Sequence, residues 1–392
     1  MKYNYFKTSI ITTLILGVSL TLIVSCKNSK NTKQENFTTA IKVGVFDGHG
    51  GAQTCIWEAL EACKLDPQIQ VRSITSHDIS NNVLDTLDAI IIPGGGGSRQ
   101  YLNLGEQNIA RIKQFISNGG GAVGICAGAY LFSNTPEYSC LKINGAKAID
   151  IEHDNRGHGI SAFSLTEEGK KIFPEYSEID TLYCMYYEGP VFVPAENDTI
   201  KYVEFATMLS DVHEEGGAPS NMTNNKPFCI GNNYGKGRVA SIIAHPEATP
   251  GKMWMISRLV RWTLEEKFGL TQNFANPQGI QNPELANKEI LMSIADLKKE
   301  SSLFKVFLYG SAEEKIEALD WLEAHFSWDA KRWIQGLLYD HEPSVRARAA
   351  KYISRTHYFK YLADVEAAFN NETDSLARED IGKALDSLKN LK

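Results

Sequence analysis

Ala122-Val123-Gly124-Ile125-Cys126-Ala127-Gly128 is the stretch from which the rest of this chain can be read. An apolar run ends in a cysteine set between two glycines, the form of a nucleophile elbow. There a strand turns sharply into a helix and presents one side chain at the carboxyl edge of a sheet. Gly124 and Gly128 suit that turn because the strand and helix backbones approach too closely for larger side chains. A cysteine at this place meets the unpaired N–H groups and the dipole of a helix N-terminus, which favour the reactive thiolate over the thiol. Far downstream, His245-Pro246-Glu247 closes another apolar run. A histidine exchanges protons near neutral pH, and a carboxylate two residues on can accept its other ring N–H and fix the tautomer. Cys126, His245 and Glu247 are therefore the expected nucleophile, base and orienting group.

The run Leu87-Asp88-Ala89-Ile90-Ile91-Ile92 enters Pro93-Gly94-Gly95-Gly96-Gly97, a buried strand delivering exposed amides beside the elbow. Gly94, Gly95, Gly96 and Ala127 are the expected oxyanion-binding positions. Around them the chain alternates. Strands are predicted at 41–46, 69–74, 87–92 and 122–126, with helices through Ile56, Leu60 and Cys63 and over 109–117. That order predicts an α/β fold, a flavodoxin-like doubly wound parallel sheet with the site at the strands' carboxyl ends. Residues 145–245 read as richer in strand, with runs at 147–151, 182–187, 202–208 and 239–244 that extend the sheet and return His245 to Cys126. An amphipathic helix over 254–268 closes the domain.

Two loops invite other chemistry. Asp47-Gly48-His49-Gly50-Gly51 lacks the Lys-Ser/Thr ending of a phosphate loop and reads as a wall of the Cys126 pocket. Glu152-His153-Asp154 with His158 offers metal-ligand types, but no third anchor of fixed spacing appears, so a polar loop is the expectation. No metal and no cofactor is implied.

The stretch from Ile90 to Tyr130, with Pro93-Gly94-Gly95-Gly96, Arg111-Ile112, Gly119-Gly120-Gly121 and the elbow itself, resembles the N-terminal domain of eukaryotic-type biotin-protein ligases, within the class I glutamine amidotransferase-like superfamily. Val43-Gly44-Val45-Phe46-Asp47-Gly48, Tyr186-Tyr187-Glu188-Gly189-Pro190 and Gly235-Lys236-Gly237-Arg238 through His245-Pro246-Glu247 fit the same pattern, over about residues 41–265. The resemblance implies Cys126 as nucleophile, His245 as base and Glu247 as its partner, with His49 and Glu188 touching substrate. One departure is Tyr130, where glutamine amidotransferases commonly carry a glutamine, which points away from ordinary glutamine binding. Nothing downstream resembles a biotin-transferring domain, so biotin ligation is not implied.

At the N-terminus, Lys2 and Lys7 precede an apolar stretch from about Thr8 to Val24, and Ile23-Val24-Ser25-Cys26 matches a bacterial lipoprotein processing site. A membrane-spanning anchor is the alternative; the small residue before Cys26 and the polar Lys27-Asn28-Ser29-Lys30 after it favour cleavage and lipidation at Cys26. The expectation is a signal peptide over 1–25, a flexible tether over 26–40, and a mature protein lipid-anchored in the cell envelope, on the periplasmic or surface side of the outer membrane. A formal net charge of −7 with no basic run argues against nucleic acid as a partner. Six cysteines besides Cys26 show neither Cys-x-x-Cys nor metal-type spacing, and an active Cys126 must stay free.

Residues 41–270 thus read as one domain, 271–283 as a linker, and 284–392 as a helical unit able to stand alone. In the last, motifs opening at Lys315, Arg346 and Arg378 recur 31 and 32 residues apart, and Asp340-x-x-Pro343-x-Val345-Arg346-x-x-Ala349 resembles a HEAT repeat. Such repeats stack into a solenoid offering a concave surface to a protein partner; a plain helical bundle is the alternative. Trp321, Trp328 and Trp333 read as core. The function expected is hydrolysis of an amide in a peptide or small amino-acid derivative. The alternative is a non-catalytic ligand-binding or scaffold lipoprotein using the same pocket and the repeats.

Overall fold

Short strands that are apolar on both faces need cover on both. In the four-residue strand Ala89–Ile92, Ala89 and Ile91 enter one apolar core while Ile90 and Ile92 enter another. That alternation is the seed of a sheet sandwiched by helices. The computed structural model describes residues 39–271 and 284–391, and these form one compact unit. The expected signal peptide, Cys26, the tether up to residue 38 and the linker from 272 to 283 lie outside the described residues.

The first half runs β1 (Ile41–Phe46), α1 (Gln53–Lys64), β2 (Ile69–Ile74), α2 (Ser76–Ser80), β3 (Ala89–Ile92), α3 (Gly97–Ser117), β4 (Gly121–Ile125) and α4 (Ala127–Phe132). The second half adds β5 (Ala146–Ala148), β6 (His158–Leu165), α5 (Glu167–Ile172), β7 (Leu182–Tyr187), β8 (Phe192–Pro194), β9 (Val203–Met208), β10 (Pro227–Tyr234), β11 (Gly237–Ile242), α6 (Trp254–Thr263) and α7 (Glu265–Phe268). Strands β2, β1, β3, β4 and β11 lie side by side in that order, all parallel. This is the doubly wound, flavodoxin-like order. Helix α1 packs against α6 over one core, and α3 packs over the other. Beyond β11 the sheet continues antiparallel through β10, β9 and β6, with β7 also on β6.

Three local readings change. The run at 147–151 does not extend the main sheet: only Ala146–Ala148 is strand, paired with β8 in a separate two-stranded sheet. The cause is Asp150, whose buried carboxylate binds Arg156 at 2.9 Å and the Val191 amide at 3.0 Å, pulling the chain into a turn. Strands β6 and β10, which lie between those expected, carry the antiparallel extension. The closing helix over 254–268 is two, broken at Leu264.

The C-terminal region packs with the α/β domain in one compact unit. It opens with β12 (Ile290–Leu291), an antiparallel edge strand on β6. After it come α8 (Ile294–Tyr309), α9 (Ala312–Ala324), α10 (Lys331–Leu337), α11 (Pro343–Arg355), α12 (Leu362–Asn371) and α13 (Ser375–Leu391). The outer face of α1 carries Trp57 and Glu58 and needs cover. Lys360 lies 5.0 Å from the Trp57 ring centre, and Lys331 Nζ meets Glu58 Oε1 at 2.6 Å with both groups buried. Two motif positions make matching contacts: Lys315 binds Asp340 at 2.6 Å and Arg346 binds Glu372 at 2.7 Å, each acid lying just before the next helix. Among the described residues no helix is long and apolar enough to cross a membrane.

Candidate active site

Neighbouring parallel strands bring the distant motifs together. Ile125 at the end of β4 pairs with Ile242 at the end of β11, and the Cys126 N–H donates to the Ile242 carbonyl at 2.8 Å. His245 follows three residues later. Cys126 itself sits at φ +50°, a left-handed conformation costing a non-glycine residue about 1–3 kcal/mol, held by the structure on either side. A methyl group on Gly128 would stand 2.0 Å from the Ile92 carbonyl oxygen, and one on Gly124 2.7 Å from that of Gly128. Only glycines let the elbow close.

His245 is fixed at backbone and ring. Its N–H donates to Met185 O at 2.7 Å, its carbonyl accepts from Thr249 Oγ1 at 2.7 Å, and Nδ1 lies 2.8 Å from Glu247 Oε1. With Nδ1 turned to Glu247, Nε2 is the ring nitrogen left for Cys126, which faces the imidazole. Burial disfavours the imidazolium, yet the facing Cys126 and Glu247 outweigh it and hold His245 up at about 10. Cys126 Sγ also lies 3.5 Å from the Tyr187 carbonyl oxygen. Cys55, on α1, is a neighbour that sequence reading did not single out; burial, then Glu247 and Glu58, push its thiol well up. Ligand atoms of Cys55, His245 and Glu247 lie within 4.8 Å of one another, a donor set suited to a soft divalent metal. Glu152, His153, Asp154 and His158 form no such group among the described residues; His158 is buried on β6 and stacks on Tyr187 at 4.2 Å.

Cys126 and His245 open on a cavity of about 460 Å³. Gly95 and Ala127 line it, and neither amide has a backbone partner among the described residues, so both can point at an oxyanion. Gly96 also lines it, but its N–H is already donated to Gly50 O at 2.7 Å, which removes it as an oxyanion donor. Gly94 lies behind the wall: a methyl there would stand 2.7 Å from His245 Cε1 and 2.9 Å from Cys55 Sγ, so its smallness makes room for the base and for Cys55. His49 is exposed and absent from the lining; its amide binds Asn103 Oδ1 at 3.1 Å, which turns this part of the glycine loop away from the pocket. Tyr130 lines the cavity with its ring 4.3 Å from that of Tyr138. Glu188 lines it too, at φ +51°, its carboxyl pushed up to about 7 by burial and then by Glu215 and Asp154.

The remaining lining was not foreseen. Trp328, Asp329 and Arg332 enter from the C-terminal region, and the Trp328 ring packs 4.4 Å from the His245 imidazole. Trp328, read as core, is thus a wall of the site, and Trp333 is partly exposed. The six cysteines among the described residues are all free.

Residues 41–267 match the family model described as "Biotin-protein ligase, N terminal". No curated protein matches the chain. Solved structures with a related fold include a ThuA-like protein of Parabacteroides merdae, at 15% identity over 62% of this chain and 100% of that one, TM-score 0.42. They also include the glutaminase domain of Trypanosoma brucei CTPS with bound acivicin, at 12% identity over 61% and 99%, TM-score 0.38. A β-galactosidase of Bacillus circulans is similar at 14% identity over 59% of this chain and 32% of its own, TM-score 0.36.

Proposed function

We propose, from the premise that this chain belongs to the biotin-protein ligase N-terminal family, that it is a cysteine-dependent hydrolase cleaving an amide of a peptide or small amino-acid derivative. One observation carries the reading: a strained cysteine elbow facing a buried, hydrogen-bonded His–Glu pair, with cysteine and histidine lining one cavity. The Cys126 thiolate attacks the carbonyl carbon, and the Gly95 and Ala127 amides receive the negative charge on its oxygen. As the tetrahedral adduct collapses, the His245 imidazolium gives its proton to the leaving nitrogen, leaving a thioester and a free amine. His245, now neutral, takes a proton from water, whose oxygen attacks the thioester; collapse releases a carboxylic acid and returns the proton and thiolate pair. The cavity volume suits an amino-acid derivative or short peptide, and Arg99, Asp154 and Glu188 in its lining supply charges of both signs for its polar ends.

The test needs no known substrate. Cys126 should outcompete the other cysteines for limiting iodoacetamide at mildly acidic pH, with the modified residue identified by mass spectrometry, and His245→Ala should suppress this. A Cys126 no more reactive than Cys140 or Cys184 would refute the hydrolase. The aromatic walls Tyr130, Tyr138 and Trp328 favour the second reading in that event, a pocket that binds a ligand without turnover.

The protein's place completes the proposal: lipid-anchored at Cys26 to a bacterial envelope membrane, the outer membrane in our reading, with the polar Lys27-Asn28-Ser29-Lys30 segment after Cys26 supporting cleavage and lipidation there, and with residues 284–392 available to a protein partner. Cys26→Ser should leave an unprocessed precursor and abolish labelling by a fatty-acid probe; continued labelling would rule the anchor out.

A further inference from the structure

The imidazole of His245 is fixed at Nδ1 by Glu247, but one hydrogen bond leaves a ring able to pivot. Its face is covered by Trp328, centroid to centroid 4.4 Å with planes at 59°. Trp328 also meets the Tyr187 ring edge-on at 5.8 Å, and the Tyr187 carbonyl oxygen is the atom near Cys126 Sγ. One indole therefore packs on the base itself and on the ring of the residue whose carbonyl meets the nucleophile.

What holds the indole is specific. Its Nε1–H donates to Glu58 Oε2 at 3.1 Å, and Glu58 Oε1 accepts from Lys331 Nζ at 2.6 Å. Lys331 also donates to the Ala248 carbonyl at 3.2 Å, and Ala248 follows Glu247. The contacts form a closed ring, from Trp328 to Glu58 to Lys331 to the Ala248 backbone, and through Glu247 and His245 back to Trp328. They tie three parts of the chain together: α1, the loop after β11, and the start of α10. A buried lysine–glutamate pair is weak evidence for stability, because desolvation offsets most of its attraction and an apolar pair of similar size would serve. A positional role accounts for its being ionic. The titratable groups facing His245 are Cys126 and Glu247, with Glu58 and the Cys55 thiol nearby.

We propose that Trp328 is a positioning residue for His245 and that the buried Glu58–Lys331 pair is the fixture that sets it, so the C-terminal helical region completes an active site whose reacting groups all lie in the α/β domain. The proposal rests on the cysteine–histidine reading of the site. Because Asp329 and Arg332 line the same cavity, the segment that steadies the base also shapes the wall the substrate meets.

The experiment uses the full chain and records the rate of Cys126 alkylation by iodoacetamide against pH, with the fold of each variant checked by near-ultraviolet circular dichroism. Trp328→Leu should lower the rate at neutral pH by about tenfold or more, since small displacements of a catalytic group cost that much, and should displace the pH curve in the direction that His245→Ala does. Trp328→Phe keeps a ring but loses the N–H to Glu58, and should fall between parent and leucine variant. Lys331→Met should displace the curve the same way with the indole intact. Trp321→Leu, in the same region with its ring stacked on His325 at 3.8 Å, is the control and should leave the curve unchanged. If His245→Ala displaces the curve but Trp328→Leu and Lys331→Met superimpose on the parent, the positioning role is overturned while the cysteine–histidine pair stands. If His245→Ala is itself silent, the pair falls and the proposal with it. If Trp328→Leu does not fold, Trp328→Phe and Lys331→Met decide: curves identical to the parent for both overturn the proposal.

Discussion

The α/β domain and the C-terminal helical region place groups at one cavity by different means. In the α/β domain the backbone does it. Cys126 is held by its amide on Ile242 O and by an elbow that only glycines allow, and His245 by its amide on Met185 O. In the helical region side chains do it: Trp328 reaches His245 because a single carboxylate, Glu58, anchors its indole and the lysine beside it. Placement by main-chain hydrogen bonds survives most side-chain changes elsewhere. Placement by a buried carboxylate depends on that one residue and on its charge.

The largest expected effect is at the backbone-placed pair. His245→Ala should lower amide cleavage, once a substrate is found, by about 10²–10⁴-fold, the range for losing a general acid–base group. A smaller loss would mean that the chemistry does not pass through His245 and that the two regions are equal partners in a binding pocket. Next is the fixture. Lys331→Met leaves Glu58 buried without its cation and should destabilise the fold by about 3–5 kcal/mol, read from urea unfolding. Burial already raises the Glu58 carboxyl to about 7 against the pull of Lys331. Without the lysine it can escape by taking a proton, so the loss should be greater above pH 7 than at pH 5. Glu58→Gln combined with Lys331→Met should recover part of it. A pH-independent loss would show that the pair acts through packing rather than charge.

Two glycines sharpen the contrast at smaller magnitude. Gly128→Ala drives a methyl group into the Ile92 carbonyl, backbone against backbone, and should cost about 1–3 kcal/mol together with Cys126 reactivity. Gly336, inside α10, has nothing within 4 Å of where a methyl would stand, and Gly336→Ala should be neutral or stabilise by up to about 1 kcal/mol. Should Gly128→Ala prove as harmless as Gly336→Ala in thermal melts, the elbow is not backbone-determined.

The same contrast governs how much was legible in the chain itself. Gly124, Cys126, Gly128 and the Pro93-Gly94-Gly95 loop are sequence signals because backbone geometry restricts which residues fit, and the parallel order β2-β1-β3-β4-β11 follows from the alternation of short apolar runs. Spacing offers the Gly96 amide alongside those of Gly94 and Gly95 and cannot say that it is already spent on Gly50. Family pattern points His49 at the pocket, while a contact with Asn103, 54 residues away, turns it outward. Trp328, Glu58 and Lys331 carry no local signature. Their meaning arises from one contact across 270 residues and another across 273, and a glutamate in an amphipathic helix looks like any solvated one until its cover is known.

The smallest expected effect concerns Glu188, the one pocket carboxylate whose backbone is also strained, at φ +51°. Burial, with Glu215 and Asp154 close by, raises its carboxyl from 4.5 to about 7, Arg156 opposing. A raised carboxyl favours the protonated form in the folded state, so its contribution to stability is complete below the unfolded value near 4.5 and is lost as pH rises through about 7. Glu58 declines over the same window. Stability of the parent should therefore fall between pH 5 and pH 7.5, and Glu188→Gln should remove only part of that fall. Because Glu188 keeps some contact with solvent, its share should be below about 1 kcal/mol. Melting temperatures of parent, Glu188→Gln and Glu58→Gln across that range separate the two. An unchanged slope in Glu188→Gln alongside a flattened one in Glu58→Gln would assign the whole pH response to the fixture between the two regions, leaving the cavity carboxylate free to ionise at neutral pH and meet a cationic end of the substrate.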